Sequence, residues 1–446
     1  MKEIIKQKVT EYTEEMLQDL RELVSYPSVY SDDAEPFGQA NIDCLNHALK
    51  LGKDLGFTAV NVDNYAGYIE IGQGDEVIGI VGHLDVVPVS DTWKTNPFEM
   101  TLIDGKYYGR GTSDDKGGVV CGLMAMKIIN ELKPNLNKRI RLIMGCNEES
   151  GSRGLQYYIN KYGYVDCGFT PDGSFPVVFG EKGMIGASFC AKTEKIINIK
   201  GGTARNAVAA KVEMELQPDC FDETVFDEYL TNNGLKMTLK KNGTWKITVF
   251  GTAAHASTPE EGTNAISYAM EGLYVSGIND PFVTAYHEKI GTGYYGEKAG
   301  VDLKDEYGRL TFNIGVINKT DEKITASIDI RFPVTMTHEP IVEKLLANGE
   351  GYIINAGGMD PLFFPLEHPM IKAMLNAYYD VTGSDLKPLT MGGGTYARTM
   401  HNIVAFGCDT QEYNWHIHDD NEFVTLKSLQ TQVEVYTNAL LNLLEI

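Results

Sequence analysis

His83 and Asp85 stand near the end of an apolar run, VIGIVGHLDVVPV, at residues 77 to 89. A run this apolar reads as a buried strand, and an imidazole and a carboxylate at its end need partners. Two residues apart, they face the same way while the strand persists, so Asp85 can accept the second ring N–H of His83 and fix the ring. An ordinary hydrogen-bonded histidine at a strand end fits the same two residues. A second apolar run ends in GCNEESGSRG, which carries Glu148 and Glu149. Adjacent carboxylates repel unless a cation or a proton separates their roles. Acids just before a helix start at Ser150 or Ser152 are also ordinary. A third run ends in FTPDGSFP with Asp172, where Pro-Asp-Gly equally makes a turn. GRGTSDDKGG at 109–118 adds Asp114 and Asp115 directly before a helical stretch, where either could be an N-cap. It lacks the GK[ST] ending of a phosphate-binding loop, and so does GGGT at 392–395, which excludes a nucleotide site of that kind.

The elements that position these residues alternate. Residues 77–82 read as a strand, 117–132 as a helix stopped by Pro134, 139–145 as a strand, 152–161 as a helix and 167–170 as a short strand. Such alternation predicts a parallel sheet with right-handed crossovers, whose ligands bind beyond the carboxyl ends of the strands. Three successive strand ends therefore bring His83, Glu148 with Glu149, and Asp172 to one sheet edge. One histidine with several carboxylates is an N/O donor set suited to zinc, manganese or cobalt. Two metals sharing a carboxylate need a second histidine, and NWHIHDDNEF offers His416 and His418.

Near residue 180 the pattern changes to alternating strand-like segments, with helical patterns near 204–215 and 262–275. After Pro369 the earlier style returns: a helix at 370–381, a glycine-rich loop at 392–394, a strand at 403–407 and a helix at 425–444. The expected fold is an α/β catalytic domain, residues 1–179 and 370–446, with a mostly parallel sheet and helices on both faces. An α+β domain with an antiparallel sheet, residues 180–369, is inserted into it.

The chain has 446 residues, with 39 basic against 61 acidic side chains and a formal net charge of -22. That balance opposes nucleic acid and anionic membrane as partners, since both need a positive face. No run is long and apolar enough to span a bilayer. The N-terminal stretch reads as an amphipathic helix rather than a secretory signal. Seven dispersed cysteines without a CxxC pair fit free thiols in a reducing cytoplasm.

Taken together, GHLDVVP, GRGTSDDKGG, NEESGS, TPDGSFP, GTAAHAS and GGGTYAR resemble the dinuclear metallopeptidases of the carboxypeptidase G, aminoacylase and carnosinase group, and within it the bacterial PepV-type dipeptidases. The motifs run from residue 81 to 422, nearly the whole chain. The resemblance implies two divalent metal ions per chain, zinc foremost, with manganese or cobalt as alternatives. It places His83 and Asp172 on one metal, Glu149 and His418 on the other, and Asp114 between them, with a cis peptide after Asp114. His418 is preferred over His416 because it stands three residues before Asn-Glu. Glu148 is implied as general base, with Asp85 holding His83. From the inserted domain, His255 in GTAAHAS is implied as the oxyanion donor. Without the resemblance it reads as a surface histidine beside a helix. Asn206 and Arg331 match positions that hold the substrate's free carboxylate, which suits the planar fork of arginine. A strand-end salt bridge is the alternative for Arg331. Gly394, with Arg398, would let the backbone approach substrate. Two departures stand out: Gly118 where PepV-type enzymes usually have proline, and DTQEYNWHIHDDNE where relatives tend to carry a glycine-containing loop.

The expected activity is hydrolysis of short peptides with free termini, the inserted domain closing as a lid over a monomer, with a homodimer as the alternative. An N-acyl-amino-acid deacylase or desuccinylase would use the same catalytic parts. A non-catalytic metal- or peptide-binding protein would need neither Glu148 nor His255.

Overall fold

The computed structural model describes residues 1–408 and 412–446, so the first three residues of the unusual C-terminal stretch, 409–411, lie outside the described residues. The chain divides into two compact units, Met1–Gly180 with Phe364–Ile446, and Glu181–Phe363.

In the first unit four strands run parallel, in the order Arg139–Gly145, Val77–His83, Cys167–Thr170, Ile403–Ala405. The hairpin Thr58–Val62 and Ala66–Gly72 extends this sheet antiparallel on the Arg139–Gly145 side. Every residue of Val77–His83 is buried, as a parallel strand covered on both faces requires. On one face Gly122 of the helix Lys116–Leu132 lies against Ile80 and Leu142, so close that a Cβ there would stand 3.1 Å from Ile80. On the other face Arg141 donates to the hydroxyl of Tyr158 (2.6 Å) on the helix Arg153–Tyr162. The α/β class with helices on both faces is thus as the sequence predicts.

The N-terminal stretch forms two helices, Lys2–Glu11 and Thr13–Val24, where one was expected. Tyr12 breaks them apart at φ -94° and ψ 6°, and its hydroxyl donates to Glu131 (2.5 Å). Both segments still bury their apolar faces, Ile5 and Val9 in the first, Met16, Leu17 and Leu20 in the second.

The second unit carries an eight-stranded sheet in the order 236–242, 244–250, 211–216, 196–201, 311–320, 323–332, 183–192, 353–359, with antiparallel pairing throughout. Its helices include Glu223–Asn232, Ala265–Val275 and Pro281–Lys289, each opened by an Asp or Asn side chain that accepts first-turn N–H groups. The helix expected within 204–215 is absent; Lys211–Leu216 is a strand. Its buried residues alternate, Val212, Met214 and Leu216, and face Val249, Ile247 and Trp245 across the pair. Cross-strand burial overrides the helix propensity of the intervening lysine and glutamates.

All seven cysteines are free. Among the described residues no helix is long and apolar enough to cross a membrane.

Candidate metal centre

The strand Val77–His83 ends on its histidine, and the ring is buried. His83 Nδ1 lies 2.9 Å from the main-chain carbonyl of Asp85 and 3.6 Å from its carboxylate. A carbonyl can only accept, so the proton sits on Nδ1 and Nε2 turns toward Asp114 Oδ1, 2.9 Å away. The expected carboxylate grip of Asp85 on His83 is therefore corrected: the closer contact is the carbonyl. The chain has left the strand by residue 84, so the two-residue periodicity no longer holds. The Asp85 carboxylate instead accepts the N–H groups of Glu148 (2.9 Å) and Glu149 (3.1 Å), and so binds the next strand end to this one.

Asp114 follows a loop and precedes the helix Lys116–Leu132. Its peptide bond to Asp115 is cis. Neither aspartate caps the helix, because Asp115 stands at the N-cap position without a capping bond and accepts the His83 N–H instead (3.2 Å). Asp114 turns its second oxygen to His418 Nε2 (2.9 Å), which also lies 3.2 Å from Glu149 Oε2. One carboxylate thus faces two groups. His83, Asp114 and Asp172 bring donor atoms within 4.8 Å of one another, and Asp114, Glu149 and His418 do the same. Among the described residues His416 joins neither group, and its ring lies 6.3 Å from that of Phe423. Glu148 and Glu149 precede the helix that begins at Arg153, so they do not form its first turn.

The electrostatics describe a pocket of excess negative charge. Burial works to lower the His83 pKa, but Asp114 and Asp85 outweigh it and leave it raised. Asp114 and then Glu149 push His418 up to about 11. Burial, then Asp114, lifts Asp172 to about 7. Burial also raises Glu148 well above the ordinary carboxylate range, with Asp172 and Glu149 adding to it. Because its Nδ1 proton goes to a carbonyl, His83 Nε2 can face the Asp114 carboxylate at 2.9 Å only with a positive charge between them. Protons supply it in the metal-free chain, and a divalent cation fits the same oxygen and nitrogen donors.

Other candidate residues are placed within their own units. Gly394 precedes the helix Tyr396–Met400 and Arg398 lies within it, and the Tyr396 ring meets the His83 ring edge-on at 6.1 Å. The Arg398 side chain reaches back over Gly394, with Nε 3.1 Å from where a Cβ would stand. In the second unit His255 pairs with Ala207 as an isolated bridge, and Ala256 donates to the Asn206 carbonyl (2.9 Å), so His255 and Asn206 are neighbours. Ser257 N–H donates to His255 Nδ1 (3.2 Å), which puts the proton of the neutral ring on Nε2. Arg331 is buried and gives Nε and Nη2 to Asp329 (2.7 and 3.2 Å), the strand-borne salt bridge that was its alternative reading.

Two supports were not read from the sequence. Ser28 donates to the Leu84 carbonyl (2.6 Å) and accepts from Val86 N–H (3.0 Å), clamping the turn after His83. The buried Lys116 ammonium holds the carbonyls of Leu23 (3.0 Å) and Tyr26 (2.8 Å). The lysine of DDKGG was a visible signal; Ser28 had none.

Comparison with known proteins gives concordant results. The model of peptidase family M20/M25/M40 matches residues 79–442. A Staphylococcus epidermidis protein named "Putative dipeptidase" is 32% identical over 98% of both chains. The Bacillus subtilis protein named "Putative dipeptidase YtjP" is 30% identical over 96% of this chain and 97% of its own. Among solved structures, human carnosine dipeptidase 1 matches with TM-score 0.59 at 16% identity over all of both chains. The yeast dipeptidase Dug1p matches at 0.60 and 14%, over 100% of this chain and 99% of its own. At such identities the structural matches carry the fold alone.

Proposed function

This chain belongs to peptidase family M20/M25/M40, and from that premise we propose that it is a metal-dependent dipeptidase acting on short peptides with free termini. The observation that carries the reading is the position of Asp114, one oxygen toward His83 and the other toward His418. In this reading His83 and Asp172 hold one divalent ion, Glu149 and His418 hold a second, and Asp114 serves both. Zinc, manganese and cobalt all suit one imidazole and carboxylates at each position. When bound, such a pair polarises the scissile carbonyl and lowers the pKa of water.

The chain's own residues do the rest. Glu148 Oε takes the proton of the attacking water and gives it to the leaving amine nitrogen. Asp85, through the N–H groups of Glu148 and Glu149, fixes the strand end that carries the base. The reading gives His255 Nε2–H the oxyanion, and Asn206 and Arg331 the substrate's carboxylate, with Gly394 and Arg398 along the peptide backbone. Because Asp329 already occupies the Arg331 fork, substrate would share or displace that partner. Free thiols suit a reducing cytoplasm, and an inserted domain long enough to supply His255 in cis suits a monomer.

The test is turnover of a dipeptide panel after chelation and re-addition of zinc, manganese or cobalt, with N-acyl amino acids in parallel. Hydrolysis restored by metal is the expected result. Cleavage of acyl amino acids with no dipeptide cleaved would overturn it in favour of a deacylase, and metal uptake without any turnover in favour of a binding protein.

A further inference from the structure

His418 must hold its ring at Asp114, yet its side chain is 57% exposed, so packing does not fix it. Its backbone does not fix it either. His416, His418 and Asn421 all have left-handed φ, 56°, 62° and 64°, a conformation that residues other than glycine keep only when neighbours enforce it. Ser90 and Thr92 hold the Asp420 carboxylate and the Lys94 N–H holds Asn421 (2.8 Å), while the contacts that tie this loop to that of Asp114 converge on one fully buried carboxylate, that of Glu422. Glu422 Oε1 accepts from the N–H groups of Ser113 (2.8 Å) and Asp114 (3.1 Å). Oε2 accepts from Gly111 N–H (3.1 Å) and Arg110 Nη1 (2.7 Å). The Arg110 Nη2 then donates to the carbonyl of Asp419, the residue after His418 (3.0 Å). Ser113 Oγ donates to the Phe423 carbonyl (2.8 Å), and the strands Lys106–Tyr108 and Phe423–Thr425 pair directly beyond.

We propose that Glu422 and Arg110 are positioning residues that lock the loop of Asp114 to the loop of His418 and thereby set the donor geometry of the second metal position. The inference rests on the dinuclear reading. Neither residue touches a donor atom. Glu422 fixes the main chain at Asp114, and Arg110 fixes it beside His418, so the pair transmits one loop's position to the other. The first position shares Asp114 but draws His83 and Asp172 from strand ends of the same sheet, and the bond from Arg110 to Asp419 bears on the second position alone.

Zinc titration of the full chain against a competing chelator separates the two positions. The wild type is expected to take up two equivalents. Arg110→Lys keeps the charge opposite Glu422 but lacks the fork that reaches Asp419. In it one equivalent should bind as in the wild type and the other about 10- to 100-fold more weakly. Glu422→Gln, which also loosens the shared Asp114, should weaken the second equivalent further and the first to a lesser extent, and Arg110→Lys decides the matter if that variant does not fold. A merely structural role would weaken both equivalents together, in step with a lower melting temperature. That outcome, or two unaltered equivalents in Arg110→Lys, overturns the inference while leaving the dinuclear reading intact. A wild type that binds fewer than two equivalents overturns the dinuclear reading, and this inference with it.

Discussion

Two parts of this molecule gather a histidine with carboxylates, and they differ in burial and in how the carboxylates are engaged. In the first unit Asp114, exposed by 6%, stands between His83 and His418. In the second, His338, Glu339 and Asp360 also bring donor atoms within 4.8 Å of one another. There Glu339 and Asp360 are 66% and 49% exposed, and Asp360 accepts both the N–H and the ring nitrogen of His338 (2.8 and 2.9 Å). That carboxylate already satisfies the open first N–H of the helix His338–Asn348. Donor types and spacing are thus shared by a candidate metal centre and a helix-end contact. Burial and a carboxylate claimed from two sides separate them, because buried charges must be neutralised and exposed ones are hydrated.

Asp114→Ala is the strongest way to break the comparison. It should remove both equivalents of bound zinc and all measurable turnover, whereas Asp360→Ala should leave zinc stoichiometry unchanged. Metal uptake after dialysis measures both. If Asp114→Ala retains two equivalents, the shared carboxylate is not the organising feature. Glu148→Gln comes next, with metal retained and turnover lower by about 10²- to 10⁴-fold. Undiminished hydrolysis in that variant would remove Glu148 from the base role.

The third effect is on pH. Asp172 titrates near 7 in the metal-free chain, and a ligand must be deprotonated to bind. Zinc affinity should therefore fall more steeply with pH below 7 than above it, because the Asp172 proton then joins those on His83 and His418 in competing for the site. The same shift opposes the metal-free fold. A carboxyl whose pKa rises on folding costs stability as pH climbs from its unfolded value of 3.8 to about 7. Thermal stabilisation by zinc should accordingly be larger at pH 8 than at pH 6. Asp360, held below its usual range by His338, should give the surface group no such dependence. The smallest effect is on stability at that group: Asp360→Ala should cost about 0.5–1.5 kcal/mol in denaturant melts, the worth of one hydrogen bond.

Much of the fold was legible because its signals are local. An apolar run of strand length, a proline stop or a period-two alternation records the burial of consecutive residues. The strands Arg139–Gly145 and Cys167–Thr170 begin and end where those patterns do. Legibility failed where a partner from elsewhere decided. Lys211–Leu216 became a strand because Trp245, Ile247 and Val249 cover its alternate residues. Tyr12, where the helix breaks, bonds to Glu131, 119 positions away. At the candidate site the residue types at the strand ends were readable, while the atom by which Asp85 meets His83 was not. Once the strand ends, side-chain direction no longer follows from spacing.

The sequence by itself determined that this chain carries an N/O donor set at the ends of parallel strands, and that set bounds its chemistry. The tertiary structure alone decided by which atoms Asp114 faces two histidines and that Glu422 joins their loops, and it puts His418, the histidine the resemblance prefers, nearer to Asp114 than His416. The reason is distance along the chain. Arg110 and Glu422 lie 312 positions apart, and no local pattern of hydrophobicity or spacing encodes a bond across such a separation. Only the pairing of the strands Lys106–Tyr108 and Phe423–Thr425 brings the two together.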